Sequence, residues 1–270
     1  MNTENLKNIE SAKLSLVGAI CGDIIGSAYE RYHAKRYNFL LFSKYSRFTD
    51  DTVCSIAIAD ALTNGKSFQE ALQHWGRVYH HSGFGSMFKH WLYAEHPEPY
   101  NSYGNGSAMR VSPIGAYAHD MNECLALAEQ SASVTHNHPE GIKGAQATAS
   151  AIYLALTGST KNEIKEWIEN IFGYDLSRHY SDIQPFYKFD VSCQGSVPES
   201  IIAFLESQDY ESAVRMAVAY GGDSDTMAAI TGGIAAAFYG YIPDYILKES
   251  MNRLPNDMKM VIEVFNRILV

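Results

Sequence analysis

The chain has 270 residues and a mass of 30.0 kDa, with 46% hydrophobic and 19% charged residues. A chain of this size buries a large core without disulfides, so disorder, collagen and coiled coil are excluded as descriptions of the whole chain. The 21 basic and 30 acidic residues give a net charge of −9, which is not the basic footprint of a nucleic-acid-binding protein.

The spacing of the cysteines and the length of the apolar runs indicate where in the cell the protein is expected. The cysteines at positions 21, 54, 124 and 193 are too far apart for a Cys-x-x-Cys metal or redox motif, which favours a reduced cytosolic protein. The apolar run 14–20 is too short for a signal peptide. The longest apolar stretch, 227–242, falls short of about 20 residues and predicts a buried helix. We therefore expect a cytoplasmic protein with no membrane association.

Helical periodicity is the main pattern from the N-terminal part onward. Apolar residues between positions 17 and 28 follow the three-and-four spacing of one helix face. Gly18, Gly22 and Gly26 recur on that helix every four residues. Because glycine inside a helix costs about 1 kcal/mol relative to alanine, we expect another helix or a ligand to approach this surface closely.

The later helices are marked by residues that favour helix starts. Such signals are Pro139 before a helix to about Leu156, the capping-box pairs Thr160 with Glu163 and Ser196 with Glu199, Asp209 before a helix over 210–220, and Pro255 before the last helix.

Alternating strand patterns are nearly absent, and three segments lack clear periodicity: 31–48, 79–106 and 174–195. Long irregular segments in compact domains are often binding loops, and packed surface loops are the alternative. We predict one all-α domain over residues 1–270, built of about ten or more helices.

Two acidic clusters, 49–52 and 223–226, each precede an apolar helix. One Asp or Thr at such a position is an ordinary cap. Several buried, unpaired carboxylates are too costly, so these acids must be solvated, paired or metal-bound. If the clusters converge, their four carboxylates suit two hard cations such as Mg²⁺ or Mn²⁺. The alternative is two capped helices with exposed acids.

Other acidic motifs fit this sequence poorly. A calcium-binding EF-hand that begins at Asp223 requires Gly and Glu where Ala228 and Ile234 stand. A terpene synthase motif that begins at Asp50 requires a third acid where Cys54 stands.

Two more segments carry ligand-binding groups. The glycine-flanked turn 103–110 has backbone amides that can receive a phosphate, although a plain turn is the alternative. His136 and His138 precede a helix without an evident third soft ligand. A hydrogen bond from one histidine to a ligand is therefore favoured over a metal site. The alternative is a structural role as a helix cap.

Taken together, these segments resemble the ADP-ribosylglycohydrolase family. The matches occur in order at 22–30, 49–52, 103–113, 135–136 and 221–226. The resemblance implies an orthogonal all-α bundle with a dinuclear metal site in a central cleft. Ser107 and Ser224 stand where the family also has other small residues, which leaves the preferred linkage open.

The resemblance also implies a role for individual residues. The implied ligands of two divalent cations, Mg²⁺ or Mn²⁺, are Thr49, Asp50, Asp51, Asp223, Asp225 and Thr226. The implied catalytic residues are Glu30, as a mobile glutamate near the anomeric carbon, with Asp50, Asp51 and Asp225. The implied contacts to ADP-ribose come from Asn105, Gly106, Ser107, Met109 and His136.

The implied function is hydrolysis of the glycosidic bond between ADP-ribose and an acceptor, which reverses ADP-ribosylation. The expected partner is an ADP-ribosylated protein or a small-molecule ADP-ribose conjugate, and a nucleic-acid substrate is not indicated. A Mg²⁺-dependent phosphohydrolase and a non-catalytic ADP-ribose-binding module are the two alternatives.

Overall fold

The computed structural model describes residues 7–32 and 34–269, and these contain fourteen α-helices, one short 3₁₀ helix at Asn105–Ser107 and no sheet. The predicted all-α class is therefore confirmed. The α-helices are α1 (Ile9–Gly26), α2 (Asp50–Asn64), α3 (Phe68–Val78), α4 (Ser86–Leu92), α5 (Ser112–Tyr117), α6 (Met121–Ser133), α7 (Pro139–Leu156), α8 (Lys161–Phe172), α9 (Tyr180–Ile183), α10 (Cys193–Glu206), α11 (Tyr210–Ala219), α12 (Ser224–Tyr239), α13 (Asp244–Met251) and α14 (Asn256–Ile268).

The most extensive helix contact joins α1 to α12. A β-carbon at Gly18 would lie 2.6 Å from the carbonyl oxygen of Gly232, and one at Gly22 would overlap the carbonyl oxygen of Ala228. The glycine spacing therefore lets two helix backbones touch, as predicted, and the partner is a helix. Since a β-carbon at Gly26 would overlap the backbone of Ser224, the end of α1 lies against the start of α12.

Most predicted helix starts agree with the structure. Helix α7 spans the predicted Pro139–Leu156, and Pro255 precedes α14. Thr160 and Glu163 form a complete capping box at α8, and Asp209 caps α11.

The predicted capping box of Ser196 and Glu199 was wrong. Both residues are buried inside α10, which begins at Cys193 and is capped by Ser192. The Ser196 hydroxyl donates to the Ser192 carbonyl at 2.7 Å, as a residue inside a helix does. Glu199 pairs instead with Arg178 at 2.6 Å.

The segments predicted to be irregular contain short helices: α4 lies within 79–106, and α9 and the start of α10 lie within 174–195. The cysteines at positions 21, 54, 124 and 193 are buried free thiols. Across residues 7–32 and 34–269, no helix combines the length and apolar character that crossing a bilayer requires.

Candidate active site

Carboxylates from three helix ends meet at one place, which we call the acidic centre. Asp23 on α1, Asp51 on α2 and Asp225 on α12 each contribute one oxygen, and these oxygens lie within 4.8 Å of one another. Glu30, Asp223 and Asp225 form a second group by the same measure. Because Asp51 of the first cluster and Asp225 of the second lie in one group, the two predicted acidic clusters converge.

Asp23 is a member of this centre that the sequence analysis did not assign. It is fully buried, and it accepts hydrogen bonds from the Thr49 amide at 2.9 Å and the Thr52 amide at 3.1 Å. It thereby caps α2 from a neighbouring helix. The available signal was a lone acid between Gly22 and Ile24 in the otherwise apolar second half of the helix.

The buried carboxylate of Asp51 lacks part of its hydrogen bonding. Its Oδ2 lies 3.2 Å from the hydroxyls of both Thr49 and Thr226, and its Oδ1 is buried with no hydrogen-bond partner. The Thr49 hydroxyl also lies 2.7 Å from Asp23 Oδ1. Since a hydroxyl has one proton to donate, Thr49 serves only one of the two aspartates at a time.

Loops hold the remaining acids at the centre. The side-chain amide of Asn105 donates to the Asp223 carboxylate at 2.8 Å. The backbone amide of Asp50 donates to the Ser82 carbonyl at 2.9 Å. Gly83 has φ of +116°, and a β-carbon there would lie 2.9 Å from the Asp50 carboxylate. A glycine at position 83 therefore leaves room for this carboxylate.

Burial without positive partners raises the pKa of these carboxyls. Desolvation raises the pKa of Asp23 to about 6 and that of Asp50 to about 7. For Asp51 and Asp225, burial and repulsion from the neighbouring carboxylates push the pKa well upward. None of the ion pairs formed within 7–32 and 34–269 involves these four residues or Asp223.

This donor set fits hard divalent cations. Carboxylate and hydroxyl oxygens are ligands that Mg²⁺ and Mn²⁺ prefer, whereas soft sulfur and imidazole donors favour other metals. Cations would offset the repulsion among the buried carboxylates, and the unpartnered Oδ1 of Asp51 is available as a ligand. The residues present therefore suit a metal site.

The acidic centre opens into a cavity of about 650 Å³, a size typical of small-molecule sites. Every candidate site residue named from the sequence lines it except Ser107. These lining residues are Glu30, Thr49, Asp50, Asp51, Asn105, Gly106, Met109, His136, Asp223, Asp225 and Thr226.

Ser107 has a different environment. It is fully buried, and its hydroxyl donates to the Gly141 carbonyl at 2.7 Å. The side chain therefore ties the 3₁₀ helix to α7. Asn105, two residues earlier, has its backbone amide bonded to the Val191 carbonyl at 2.8 Å and its side chain directed to Asp223.

The two neighbouring histidines differ in role. His138 is the cap of α7, because its Nδ1 accepts from the Glu140 amide at 3.1 Å. His136 lines the cavity, and a β-carbon at Gly106 would lie 3.1 Å from its Nε2. Burial, together with the charge of Arg110, places the pKa of His136 well below its usual range, which keeps the ring neutral.

The sequence and the fold match a known family. A sequence model described as ADP-ribosylglycohydrolase matches residues 4–268. The chain belongs to the ADP-ribosylglycohydrolase family. Its enzyme class is therefore that of hydrolases acting on ADP-ribosyl bonds.

Relatives and a solved structure agree with this family. The chain is 24% identical over 297 residues to the ADP-ribosylarginine hydrolase Tri1 of Pseudomonas putida, covering 96% of this chain and 79% of that protein. It is 24% identical over 307 residues to human ADP-ribosylhydrolase ARH3, covering 83% and 84%. A structure titled ADP-ribosylglycohydrolase-related protein complex has a TM-score of 0.74 at 21% identity, covering 100% of both chains.

Proposed function

We propose that this chain is a metal-dependent hydrolase that releases ADP-ribose from a mono-ADP-ribosylated protein or a related conjugate. The observation that supports this most strongly is the convergence of buried carboxylates from α1, α2 and α12 beside a cavity of ligand size. So much uncompensated buried charge is costly for a core and useful for binding cations.

Two divalent cations, Mg²⁺ or Mn²⁺, would be held by residues that supply oxygen. These are Thr49, Asp50, Asp51, Asp223, Asp225 and Thr226. When bound, such cations supply Lewis-acid activation of water and orientation of the ribose hydroxyls. In this proposal Asp23 holds the start of α2, and with it Asp51, through the Thr49 and Thr52 amides.

Glu30 is the acid we assign to proton exchange with the acceptor. It lies beside Asp223 and Asp225, and it is only half-buried, so its carboxylate can reach water as well as ligand. It would take a proton from the attacking water and pass a proton to the acceptor atom as the glycosidic bond breaks, so that Glu30 itself is unchanged at the end. Asp51, Asp223 and Asp225, by contrast, are buried.

The ADP-ribose part would lie along the 3₁₀ helix and His136. Asn105, Gly106, Met109 and His136 line that side of the cavity. Because the chain is acidic overall, long-range attraction cannot bring in a diphosphate, and recognition must be local. The absence of a side chain at Gly106 lets a phosphate approach backbone amides closely.

A panel of peptides with defined ADP-ribosyl linkages tests this proposal. An arginine linkage comes first, because the Pseudomonas putida relative is named for it, and a serine linkage comes second. We expect Mg²⁺-dependent release of free ADP-ribose from one of them. Release of inorganic phosphate would support a phosphohydrolase, and binding without release would support a binding module.

A further inference from the structure

Arg110 is a buried cation that the proposed function does not use. Its side chain is fully buried after the 3₁₀ helix, and its Nε and Nη1 have no hydrogen-bond partner. None of the ion pairs formed by the described ranges, 7–32 and 34–269, includes it. A buried guanidinium without a carboxylate is costly, so the presence of Arg110 calls for a reason other than stability.

The one nitrogen of Arg110 that is bonded starts a short chain of hydrogen bonds. Its Nη2 donates to the Ser131 carbonyl at 2.5 Å and to the Thr135 hydroxyl oxygen at 3.0 Å. That hydroxyl oxygen lies 2.7 Å from His136 Nδ1. Since the guanidinium can only donate, the threonine oxygen accepts from it. Within residues 7–32 and 34–269 the only acceptor that the hydroxyl proton reaches is Nδ1, so this buried hydroxyl is satisfied as a donor when it donates there.

The direction of this chain determines the tautomer of His136. An Nδ1 that accepts a hydrogen bond from the Thr135 hydroxyl carries no proton of its own, so the single ring proton of the neutral imidazole is on Nε2. Nε2 faces Gly106 beside the cavity, because a β-carbon there would lie 3.1 Å from it. His136 is thus a hydrogen-bond donor toward an anionic or hydroxyl ligand.

We infer that Arg110 and Thr135 are positioning residues that hold His136 as an Nε2–H donor to bound ADP-ribose. The inference rests on the proposed function for the identity of the ligand. Although it is buried, Arg110 stands in the wall of the cavity, so the anionic diphosphate of the ligand would offset its charge through space.

The pair Thr135→Val and Thr135→Ser tests this inference. Valine keeps the shape but removes the hydroxyl, and serine keeps the hydroxyl. We expect Thr135→Val to weaken ADP-ribose binding about tenfold, the effect of losing one oriented hydrogen bond, with Mg²⁺ affinity unchanged. Thr135→Ser should stay within about threefold of the unmodified protein.

The nitrogen NMR spectrum of His136 gives a readout that a merely structural role would not change. We expect the Nε2–H tautomer in the unmodified protein and in Thr135→Ser, and a shift toward Nδ1–H in Thr135→Val. An Nδ1–H tautomer in the unmodified protein, or unchanged affinity in a folded Thr135→Val, overturns the inference alone. Failure of the unmodified protein to bind ADP-ribose would instead overturn the proposed function.

Discussion

Thr226 donates a hydrogen bond from its hydroxyl to Oδ2 of Asp51 at 3.2 Å across 175 residues of sequence. The contact joins the first turns of α12 and α2, the two helix starts that carry the acidic clusters. Helix N-termini favour negative charge, which offsets part of the repulsion between these clusters. The rest of that repulsion is what we expect divalent cations to relieve.

Removal of one acid should separate activity from stability. We expect Asp51→Asn to lower turnover by orders of magnitude and to raise the melting temperature of the metal-free protein at pH 8, because it removes an unpaired buried charge. Turnover and thermal unfolding in EDTA check this.

Asp60→Asn is the matched control on the same helix. Asp60 is also buried, but it pairs with Lys66 at 2.9 Å and accepts from the Trp75 indole at 3.0 Å. Its loss should lower the melting temperature and spare turnover. Normal turnover in Asp51→Asn would show that Asp51 does not serve the site.

The stability of the metal-free protein should fall as pH rises from about 4 to about 7. Unfolded aspartates titrate near pH 4, whereas burial raises the pKa of Asp23 to about 6 and that of Asp50 to about 7 in the folded chain. The folded state therefore binds more protons in this interval, and raising the pH costs it stability. Thermal unfolding in EDTA, compared with Asp50→Asn at each pH, isolates the part of this contribution that comes from Asp50.

Added Mg²⁺ should reverse that trend, because deprotonated carboxylates bind the cation more tightly. The gain in melting temperature from Mg²⁺ should therefore grow between pH 5 and pH 8, values that bracket the raised pKa of Asp23 and Asp50. A gain that is constant over this interval would contradict the assignment of Asp50 as a ligand.

Backbone contact between α1 and α12 should make Gly22 intolerant of a side chain. A β-carbon there would overlap the carbonyl oxygen of Ala228, so we expect Gly22→Ala to destabilise the fold by about 1–3 kcal/mol. Gly233→Ala on α12 is the control, since its β-carbon would lie 3.3 Å from the nearest atom, a side-chain carbon of Ser112. Equal denaturation midpoints for the two variants would disprove the close packing.

Gly106→Val should weaken ADP-ribose binding more than Mg²⁺ binding. The new side chain would press on His136, whose Nε2 would be 3.1 Å from the added β-carbon, and would cover the backbone amides of the turn. Calorimetry with each ligand, beside the melting temperature, separates this effect from misfolding. Unchanged ADP-ribose affinity in the folded variant would exclude the turn from the binding site.

Much of the fold could be predicted because its signals are local. Thr160 with Glu163 satisfies the backbone of its own helix, and so the pair marks the start of α8 in the sequence itself. Gly22 signalled close packing but not the identity of its neighbour, which lies on α12. The capping prediction at Ser196 failed because Ser192 caps that helix four residues earlier, and Pro198 lies inside it.

Features of the site that depend on tertiary contacts were less accessible. The acidic clusters could be found from their positions before apolar helices, but Asp23 lies inside a helix and acts on α2 through space. The Ser107 side chain faces Gly141 on another helix, which no pattern around residue 107 indicates. Likewise, His136 and His138 are equivalent in sequence, and only their partners distinguish a cavity residue from a cap.

The most direct test is to measure ADP-ribose release by chelated protein while Mn²⁺ is returned in known equivalents. The proposed centre predicts no turnover in the fully chelated protein, and recovery of turnover that saturates near two ions per chain. In Asp225→Asn, returned Mn²⁺ should not restore turnover. Full turnover after verified removal of metal would contradict the claim that the carboxylates at the starts of α2 and α12 act by holding cations.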